Sequence, residues 1–293
     1  MSTTRPDRRA ALFLAPFVIG TVGLVLLPAV LTFRYAFTDF TGLGQGAFTG
    51  LANLRRLVDD PFFDASVRAS AIHVMIAVPL RLALAAGLAL LLAAPRRGGR
   101  WYRLAVYLPT VIPDVALALL FLWVLNPIYG PLNQLLGLFG LPQPVWLAET
   151  AGARTGVILM LLFPIGEAFL VVLATRRAIG PKLYEAAALE GARPWQQLRH
   201  ITLPLMAPVL ALLAIRDVGL SLQATFVPAY VLTDGGPLFA TLYVPIYVFD
   251  QAFEFLGFGY SAMITLVVLA ATLVLVALQL LLVRRWRAWR VLR

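Results

Sequence analysis

The sequence contains no cysteine and only two histidines, His73 and His200, among its 293 residues. Disulfides and thiolate metal sites are therefore excluded, and two histidines so far apart do not suggest a metal centre. Lysine is nearly absent too, because Lys182 is the only one. A phosphate-binding loop ends in Gly-Lys-Ser/Thr, whereas Lys182 lies between Pro181 and Leu183. We therefore expect neither a metal centre nor ATP hydrolysis in this chain. We also predict that it has no cofactor and no catalytic residues.

Charged residues are also scarce, at 13% of the chain, while hydrophobic residues make up 61%. Soluble domains are typically about 45–50% apolar and about 25% charged. The composition therefore excludes a soluble globular protein and predicts an all-α polytopic protein whose main solvent is the lipid bilayer. Six apolar segments within one domain, 1–293, are long enough to cross the ~30 Å hydrocarbon layer. These predicted spans are residues 11–37, 67–94, 104–126, 154–175, 204–232 and 259–283.

The few charges are unevenly placed along the chain. A net charge of +10 could indicate nucleic-acid binding. The basic residues, however, cluster within 5–9, 96–103, 176–199 and 284–293, which are alternate gaps between the apolar segments. This pattern is typical of the positive-inside rule. It predicts that both termini lie in the cytoplasm and that the partner of the basic clusters is the membrane surface, with no nucleic acid.

Six prolines fall inside the predicted spans. They are Pro28, Pro79, Pro109, Pro113, Pro164 and Pro208. Each removes one backbone hydrogen bond, so the freed carbonyl needs a neighbouring group or water as a partner. Broken helices are usual in transporters, but a kinked helix in a tightly packed bundle explains any single proline equally well.

The connection 176–203 has a pattern of its own. Pro181 can begin a helix because its missing N–H would have no partner in the first turn, and Gly191 can end that helix. Pro194 can begin a second helix, which Pro204 is expected to stop before the fifth span. The sequence therefore predicts a helix-turn-helix along the inner membrane surface that presents small residues to a soluble partner.

The connection contains Glu185-Ala-Ala-Ala-Leu-Glu190-Gly191-Ala192, followed by Ile201-Thr-Leu203-Pro204 and by Pro208. This motif resembles the EAA loop of the membrane subunits of ABC importers, which docks into a groove on the ATP-hydrolysing subunit. Glu190 and Leu198 depart from the pattern, since the family more often has Asp and an aromatic residue there, but charge and apolarity are kept. An ordinary amphipathic connector is the alternative interpretation. The candidate coupling residues are Glu185, Ala186, Ala187, Glu190, Gly191, Ala192, Leu198, Ile201, Leu203 and Pro204.

The resemblance extends to the MalF-like branch of the carbohydrate ABC permeases. It is carried by residues 232–237, 252–253 and 258–262, by 108–109 with 112–113, by Gly130 with Asn133, and by 50–54. It implies the type I importer permease fold, a bacterial or archaeal cytoplasmic membrane, and a sugar substrate. The implied partners are a second, MalG-like permease, two cytoplasmic subunits that bind ATP and Mg, and an extracytoplasmic solute-binding protein.

Charged residues inside the spans indicate where a solute could pass, because burying each costs roughly 2.5–3.5 kcal/mol on insertion scales. The resemblance places sugar contacts in the middle of the third to fifth spans. The candidate pathway residues are Asp114, Glu167, Arg216, Asp217, Ser221 and Gln223. Hydrogen bonding between helices is the alternative for each. Arg216 and Asp217 are consecutive and point about 100° apart, so we expect no direct pair between them, and Arg81 is expected to be structural.

Two other functions fit parts of the sequence. Arg216 could receive an anion such as glycerol 3-phosphate or another anionic polyol, within the same architecture. Asp60 and Asp64 have the D-x-x-x-D spacing of magnesium-dependent prenyl transferases, whose paired carboxylates hold a diphosphate through the metal. The second signal is weak because no second acidic cluster accompanies it.

A short surface helix is predicted over residues 51–58. Leu51, Leu54 and Val58 share one helical face. On the opposite face, Arg55 and Arg56 each precede an aspartate by four residues, which favours i,i+4 ion pairs.

Overall fold

A computed structural model describes residues 8–44, 46–94 and 97–291, so residues 5–7, Arg96 and Arg293 of the predicted basic clusters lie outside the described residues. These described residues are almost entirely helical. The α-helices are α1 Arg8–Thr21, α2 Leu27–Tyr35, α3 Ala52–Val58, α4 Pro61–Leu91, α5 Gly99–Tyr107, α6 Asp114–Val124, α7 Pro131–Leu138, α8 Thr150–Leu162, α9 Gly166–Ala178, α10 Pro181–Leu189, α11 Pro194–Gln197, α12 Leu203–Ala224, α13 Phe226–Leu232, α14 Val244–Phe249 and α15 Phe258–Val291.

Three π-helical turns and one 3₁₀ turn connect some of these helices. The π turns are Val22–Leu26, Leu198–Thr202 and Asp250–Glu254, and the 3₁₀ turn is Leu108–Val111. The first π turn joins α1 to α2, and the second joins α11 to α12. Each joined pair therefore runs as one long helix with a locally widened backbone.

Four helices are long and apolar enough to cross a membrane, in agreement with the predicted all-α membrane protein. They are Leu12–Tyr35, Pro61–Leu91, Pro194–Ala224 and Phe258–Val283. Two further apolar pairs are bent, α5 with its 3₁₀ turn against α6 by 101° and α8 against α9 by 53°. By length and composition, the described residues thus contain four candidate spans, or up to six if each bent pair crosses once.

The two bends coincide with predicted proline breaks and lie against each other. Pro109, Pro113 and Pro164 are at the bends. The backbone N–H of Gly166 donates to Thr110 Oγ1 at 3.0 Å, and Arg81 Nη2 donates to the freed carbonyl of Pro164 at 3.3 Å. Neighbouring side chains therefore satisfy backbone groups that the breaks release.

Pro28, Pro79 and Pro208 behave differently, because they lie inside helices that continue past them. Pro204 also does not stop a helix, which corrects the prediction for the coupling segment. The π turn Leu198–Thr202 widens the backbone just before Pro204, and this relieves the clash between the ring and the preceding turn. The helix from Pro194 therefore enters the fifth span without a break.

The chain divides into two compact units. One consists of Met1–Asp60, in its described part, and Val248–Ala271. Its core contains Ala36, Ala262 and Met263. A helix does form near the predicted residues 51–58, but its buried residue is Leu57, whereas Val58 is 81% exposed. The predicted apolar face is therefore right for Leu54, which packs against this core, and wrong for Val58. Arg56 of the same helix lies over the Tyr260 ring at 3.9 Å from its centroid.

The other unit consists of Pro61–Tyr247 and Thr272–Arg293. Its main core is formed where α4, α9 and α12 pack on one another. The buried members are Ala85, Ala89, Ala168, Phe169, Val172, Leu173, Met206 and Leu213. Alanines at this contact allow the helix backbones to approach closely. The predicted span 204–232 is two elements here, since α12 ends at Ala224 and α13 begins at Phe226.

Candidate functional site

The predicted coupling segment folds as a helix, a tight turn and a second helix. α10 covers Pro181–Leu189, and Gly191 has a φ of 81°, the left-handed conformation that favours glycine. The N–H of Ala192 donates to the Ala187 carbonyl at 2.9 Å, and the N–H of Gly191 donates to the Ala188 carbonyl at 3.0 Å. These two bonds form a Schellman motif, which satisfies the last carbonyls of α10.

Glutamines fix the second half of this turn. The N–H of Arg193 donates to Gln196 Oε1 at 2.7 Å, which is half of a capping box at the start of α11. Gln197 Nε2 donates to the carbonyl of Ala192 at 3.1 Å. The two helices therefore have a defined geometry on either side of Gly191.

The surface of this segment combines carboxylates with large apolar side chains. Glu185, Glu190 and Gly191 are exposed. Leu189 is 91% exposed and Trp195 is 65% exposed. Sequence reasoning missed both apolar residues, although their position beside the motif was a usable signal. The remaining candidates are Ala186 and Leu203, which are exposed, and Ala187, Ala192, Leu198, Ile201 and Pro204, which are partly buried.

A second polar site joins α4, α9 and α12. The Arg216 guanidinium contacts Glu167 Oε2 in a close ion pair. Its other Nη lies 3.9 Å from Asp217 Oδ1, and Arg81 Nε lies 3.8 Å from Asp217 Oδ2. Two arginines and two carboxylates thus alternate in a network with no net charge. The expectation that Arg216 and Asp217 do not contact each other was wrong, because the long arginine side chain reaches back across the backbone.

Burial divides this network into an inner and an outer part. The Asp217 side chain is 1% exposed and that of Arg81 is 20% exposed. The Arg216 and Glu167 side chains are 45% and 54% exposed. The inner pair therefore packs between helices, as predicted for Arg81, while the outer pair is accessible.

The outer pair opens into a cavity of about 370 Å³. The lining residues are Tyr107, Glu167, Leu170, Val171, Leu213 and Arg216. Ligand pockets in proteins are typically of this size, mostly apolar and supplied with a few polar groups. The arrangement suits a small polar solute, because the ion pair can bond hydroxyls while the apolar walls contact C–H surfaces.

The other predicted pathway residues lie apart from this cavity. Ser221 is buried and lines a narrower crevice with His73 and Arg81. Asp114 is exposed at the first turn of α6, and Gln223 is exposed at the end of α12. The structure therefore brings together Glu167, Arg216 and Asp217, and it does not bring Asp114 or Gln223 to them. Sequence reasoning missed Tyr107, Leu170, Val171 and Leu213 because nothing distinguishes them from other apolar residues of the spans.

The carboxylates of the D-x-x-x-D motif each have a protein partner. Asp60 accepts a hydrogen bond from the Tyr260 hydroxyl at 2.5 Å. Asp64 forms an ion pair with Arg68 at 2.7 Å. No group of three or more His, Asp or Glu side chains is placed to hold a metal within the described ranges. The motif is explained by these local contacts.

Residues 81–288 match the protein family described as the binding-protein-dependent transport system inner membrane component. The chain belongs to this family. A probable ABC transporter permease protein, PH1215, from Pyrococcus horikoshii is 34% identical, over 90% of this chain and 92% of that protein. The lactose transport system permease protein LacF from Rhizobium radiobacter is 29% identical, over 93% of this chain and 93% of its own length.

Among solved structures, a chain of a bacterial ABC transporter involved in the import of the acidic polysaccharide alginate has the same fold. Its TM-score is 0.82 at 23% identity, over 95% of this chain and 96% of that chain. The resemblance to ABC importer permeases is thus confirmed, and so is the prediction that the chain is a transport component and not an enzyme. The protein is a multi-pass membrane permease of a binding-protein-dependent importer.

Proposed function

We propose that this chain is one of two permease subunits of an ATP-driven sugar importer, and that it couples to cytoplasmic ATPases through the loop 176–203. Its partners are a second, MalG-like permease, two cytoplasmic subunits that bind ATP and Mg, and an extracytoplasmic solute-binding protein. The chain acts as one domain, 1–293, in a bacterial or archaeal cytoplasmic membrane. In this arrangement both bent pairs cross once, so six spans leave both termini inside.

The observation that carries the ATPase assignment is the exposed turn at Gly191 with Leu189 and Trp195 beside it. Exposed apolar side chains that lie together and are rimmed by polar residues are typical of a surface that another protein covers. Glu185 and Glu190 supply charge around them. A defined helix-turn-helix that combines an apolar centre with a charged rim is suited to a groove on a soluble protein.

Substitution of Gly191 tests this assignment. Valine at Gly191 is strained, because a β-branched residue at a φ of 81° is an outlier, although an added Cβ meets no atom within 4 Å. In the reconstituted four-subunit complex with its binding protein, Gly191→Val is expected to lower substrate-stimulated ATP hydrolysis and uptake at least roughly tenfold, since the strain of roughly 1–2 kcal/mol displaces the docking turn.

Gly180→Val is the matched control for this experiment. Gly180 begins the same helix at a φ of −61° and a ψ of 140°, which valine adopts without strain. An added Cβ there also meets no atom within 4 Å. Normal uptake and normal stimulated hydrolysis in the Gly191→Val complex would overturn the docking assignment.

The cavity beside Glu167 and Arg216 is proposed as part of the sugar pathway. Carboxylate and guanidinium groups form strong charge-assisted hydrogen bonds with hydroxyls, and Tyr107 offers a ring face. Asp217 and Ser221 do not line this cavity. Asp217 contacts Arg216, and Ser221 shares the narrower crevice with Arg81, so both are proposed to position the residues of the pathway. Asp114 and Gln223, which are both exposed, are assigned to other points along it.

A further inference from the structure

The ring of Tyr184 lies between the coupling helix and two membrane helices. Tyr184 is in α10 and is partly buried. The Arg176 guanidinium, in the last turn of α9, lies over the ring at 4.4 Å from its centroid. The Tyr184 hydroxyl is 2.9 Å from Thr202 Oγ1, in the π turn that leads into α12. One side chain therefore contacts all three elements.

Either oxygen can donate in the contact between the Tyr184 hydroxyl and Thr202 Oγ1. Thr202 Oγ1 also lies 3.4 Å from the Gln197 carbonyl. Thr202 is only 3% exposed. A hydrogen bond to a buried oxygen is costly to lose, because no solvent replaces the missing donor. The Arg176 contact adds a cation–π attraction on the ring face.

α9 and α12 also carry the outer pair of the polar network, Glu167 on α9 and Arg216 on α12, at a distance from the contact with Tyr184. Glu167 is nine positions from Arg176 along α9, which is about 14 Å at 1.5 Å per residue. Arg216 is fourteen positions from Thr202, or about 21 Å, along α12. Both helices are continuous between these points. α9 and α12 therefore connect the contact of Tyr184 with the residues that line the cavity.

We propose that Tyr184 is a positioning residue that links the coupling helix α10 to α9 and α12, so that movement of α10 reaches the Glu167–Arg216 pair. The proposal rests on the docking of an ATPase at 176–203. Arg176 holds the ring against α9, and the hydroxyl holds the π turn of α12. The π turn Leu198–Thr202 lies directly at this contact, and π turns inside helices are frequent at functional sites.

The test removes the hydroxyl bond from either side in the reconstituted complex. Tyr184→Phe, Thr202→Val and the double variant are each expected to lower substrate-stimulated hydrolysis and uptake by the same factor, roughly three- to tenfold for one buried hydrogen bond. The basal hydrolysis rate and co-purification of the ATPase subunits stay at the wild-type level. Tyr102→Phe, at an exposed position of α5, is the matched control and leaves all readouts unchanged.

Several outcomes would overturn the link. It fails if Tyr184→Phe and Thr202→Val leave stimulation unchanged, if their effects multiply independently, or if the ATPase subunits no longer co-purify. Should Thr202→Val not assemble, Arg176→Gln tests the ring face, and unchanged stimulation there also overturns the link. A Gly191→Val complex that remains coupled refutes the docking itself, whereas an uncoupled Gly191→Val beside a normal Tyr184→Phe refutes only the link.

Discussion

At the scale of single residues, Asp217 depends most on its neighbours. Its carboxylate is 1% exposed and faces Arg81 at 3.8 Å and Arg216 at 3.9 Å. No hydrogen bond from the described residues reaches its oxygens. A buried ion pair adds little compared with an apolar pair, but removal of one partner leaves an uncompensated charge. Asp217 therefore holds the network together, because it is the counter-charge of Arg81 and also contacts Arg216.

We predict that Asp217→Asn lowers the stability of the purified complex by about 2–3 kcal/mol, because Arg81 is left between helices without a counter-charge. Thermal unfolding in detergent measures this effect. Glu167→Gln removes a carboxylate of the outer, half-exposed pair, so its effect is expected to stay within about 1 kcal/mol. The double variant Arg81→Gln/Asp217→Asn is expected to recover part of the loss. Equal shifts for Asp217→Asn and Glu167→Gln would contradict this division of the network.

At the scale of elements, the two proline bends fix the shape of the cavity. Gly166 begins α9, directly after one break, and contacts Thr110 in the other. A Cβ on Gly166 would lie 2.4 Å from Thr110 Oγ1 and 2.8 Å from the Tyr107 Cα. Tyr107 also lines the cavity. The absence of a side chain at Gly166 therefore allows the bends to meet.

We predict that Gly166→Ala destabilises the permease by about 1–3 kcal/mol, because backbone atoms have to move to admit the methyl group. The yield of monodisperse complex and its unfolding temperature measure the effect. Gly87→Ala is the matched control, since an added Cβ meets no atom within 4 Å inside α4. If both variants have the same stability, the contact between the bends is not tight.

The sequence predicted most elements of the fold because their signals are local. Apolar length identified the four helices that can cross a membrane, Pro109, Pro113 and Pro164 marked the two bends, and Gly191 marked the turn. Pro204 was misread because a stop depends on the backbone geometry before it, and a π turn has no clear sequence signal. The face of α3 was misread in part, since Leu57 and not Val58 is buried, and the Tyr260 ring that contacts Arg56 is about two hundred residues away in sequence.

The candidate site was predictable only in part, for the same reason. Charge inside apolar segments was sufficient to single out Glu167, Arg216 and Asp217. Their pairing depends on how α4, α9 and α12 rotate against each other, and residue spacing does not contain that information. Tyr184 received no role from the sequence, since a tyrosine in a helix is ordinary until its hydroxyl is seen against Thr202.

At the scale of the whole molecule, the apolar surface has to be covered by lipid or by another subunit. The most apolar window of Leu12–Tyr35 has no buried residue, and that of Phe258–Val283 also has none. In water such surfaces would associate without specificity. A bilayer and a second permease are the covering partners in the proposed complex. The polar network has to remain electrically neutral while its outer pair, Glu167 and Arg216, contacts the solute.

The charge balance leads to a prediction about the solute. Arg216 is already neutralised by Glu167, so the cavity offers no net charge to an anion. We expect neutral sugars, and not phosphorylated polyols such as glycerol 3-phosphate, to stimulate hydrolysis and to be taken up by proteoliposomes. Glu167→Gln and Arg216→Gln are each expected to reduce sugar uptake roughly tenfold, since a charge-assisted hydrogen bond is worth about 1.5–3 kcal/mol.

Thr155→Ala is the control for this measurement, because Thr155 bonds only the carbonyl of Ala151 in its own helix and is exposed. Its uptake is expected to match the wild type. Stimulation by phosphorylated solutes alone, together with loss of their uptake in Arg216→Gln, would show that Arg216 receives an anion and that Glu167 gives up its partner when the solute binds. Because the two variants remove opposite charges from one pair, parallel losses indicate hydrogen bonding to a neutral solute, whereas opposite effects indicate selection by charge.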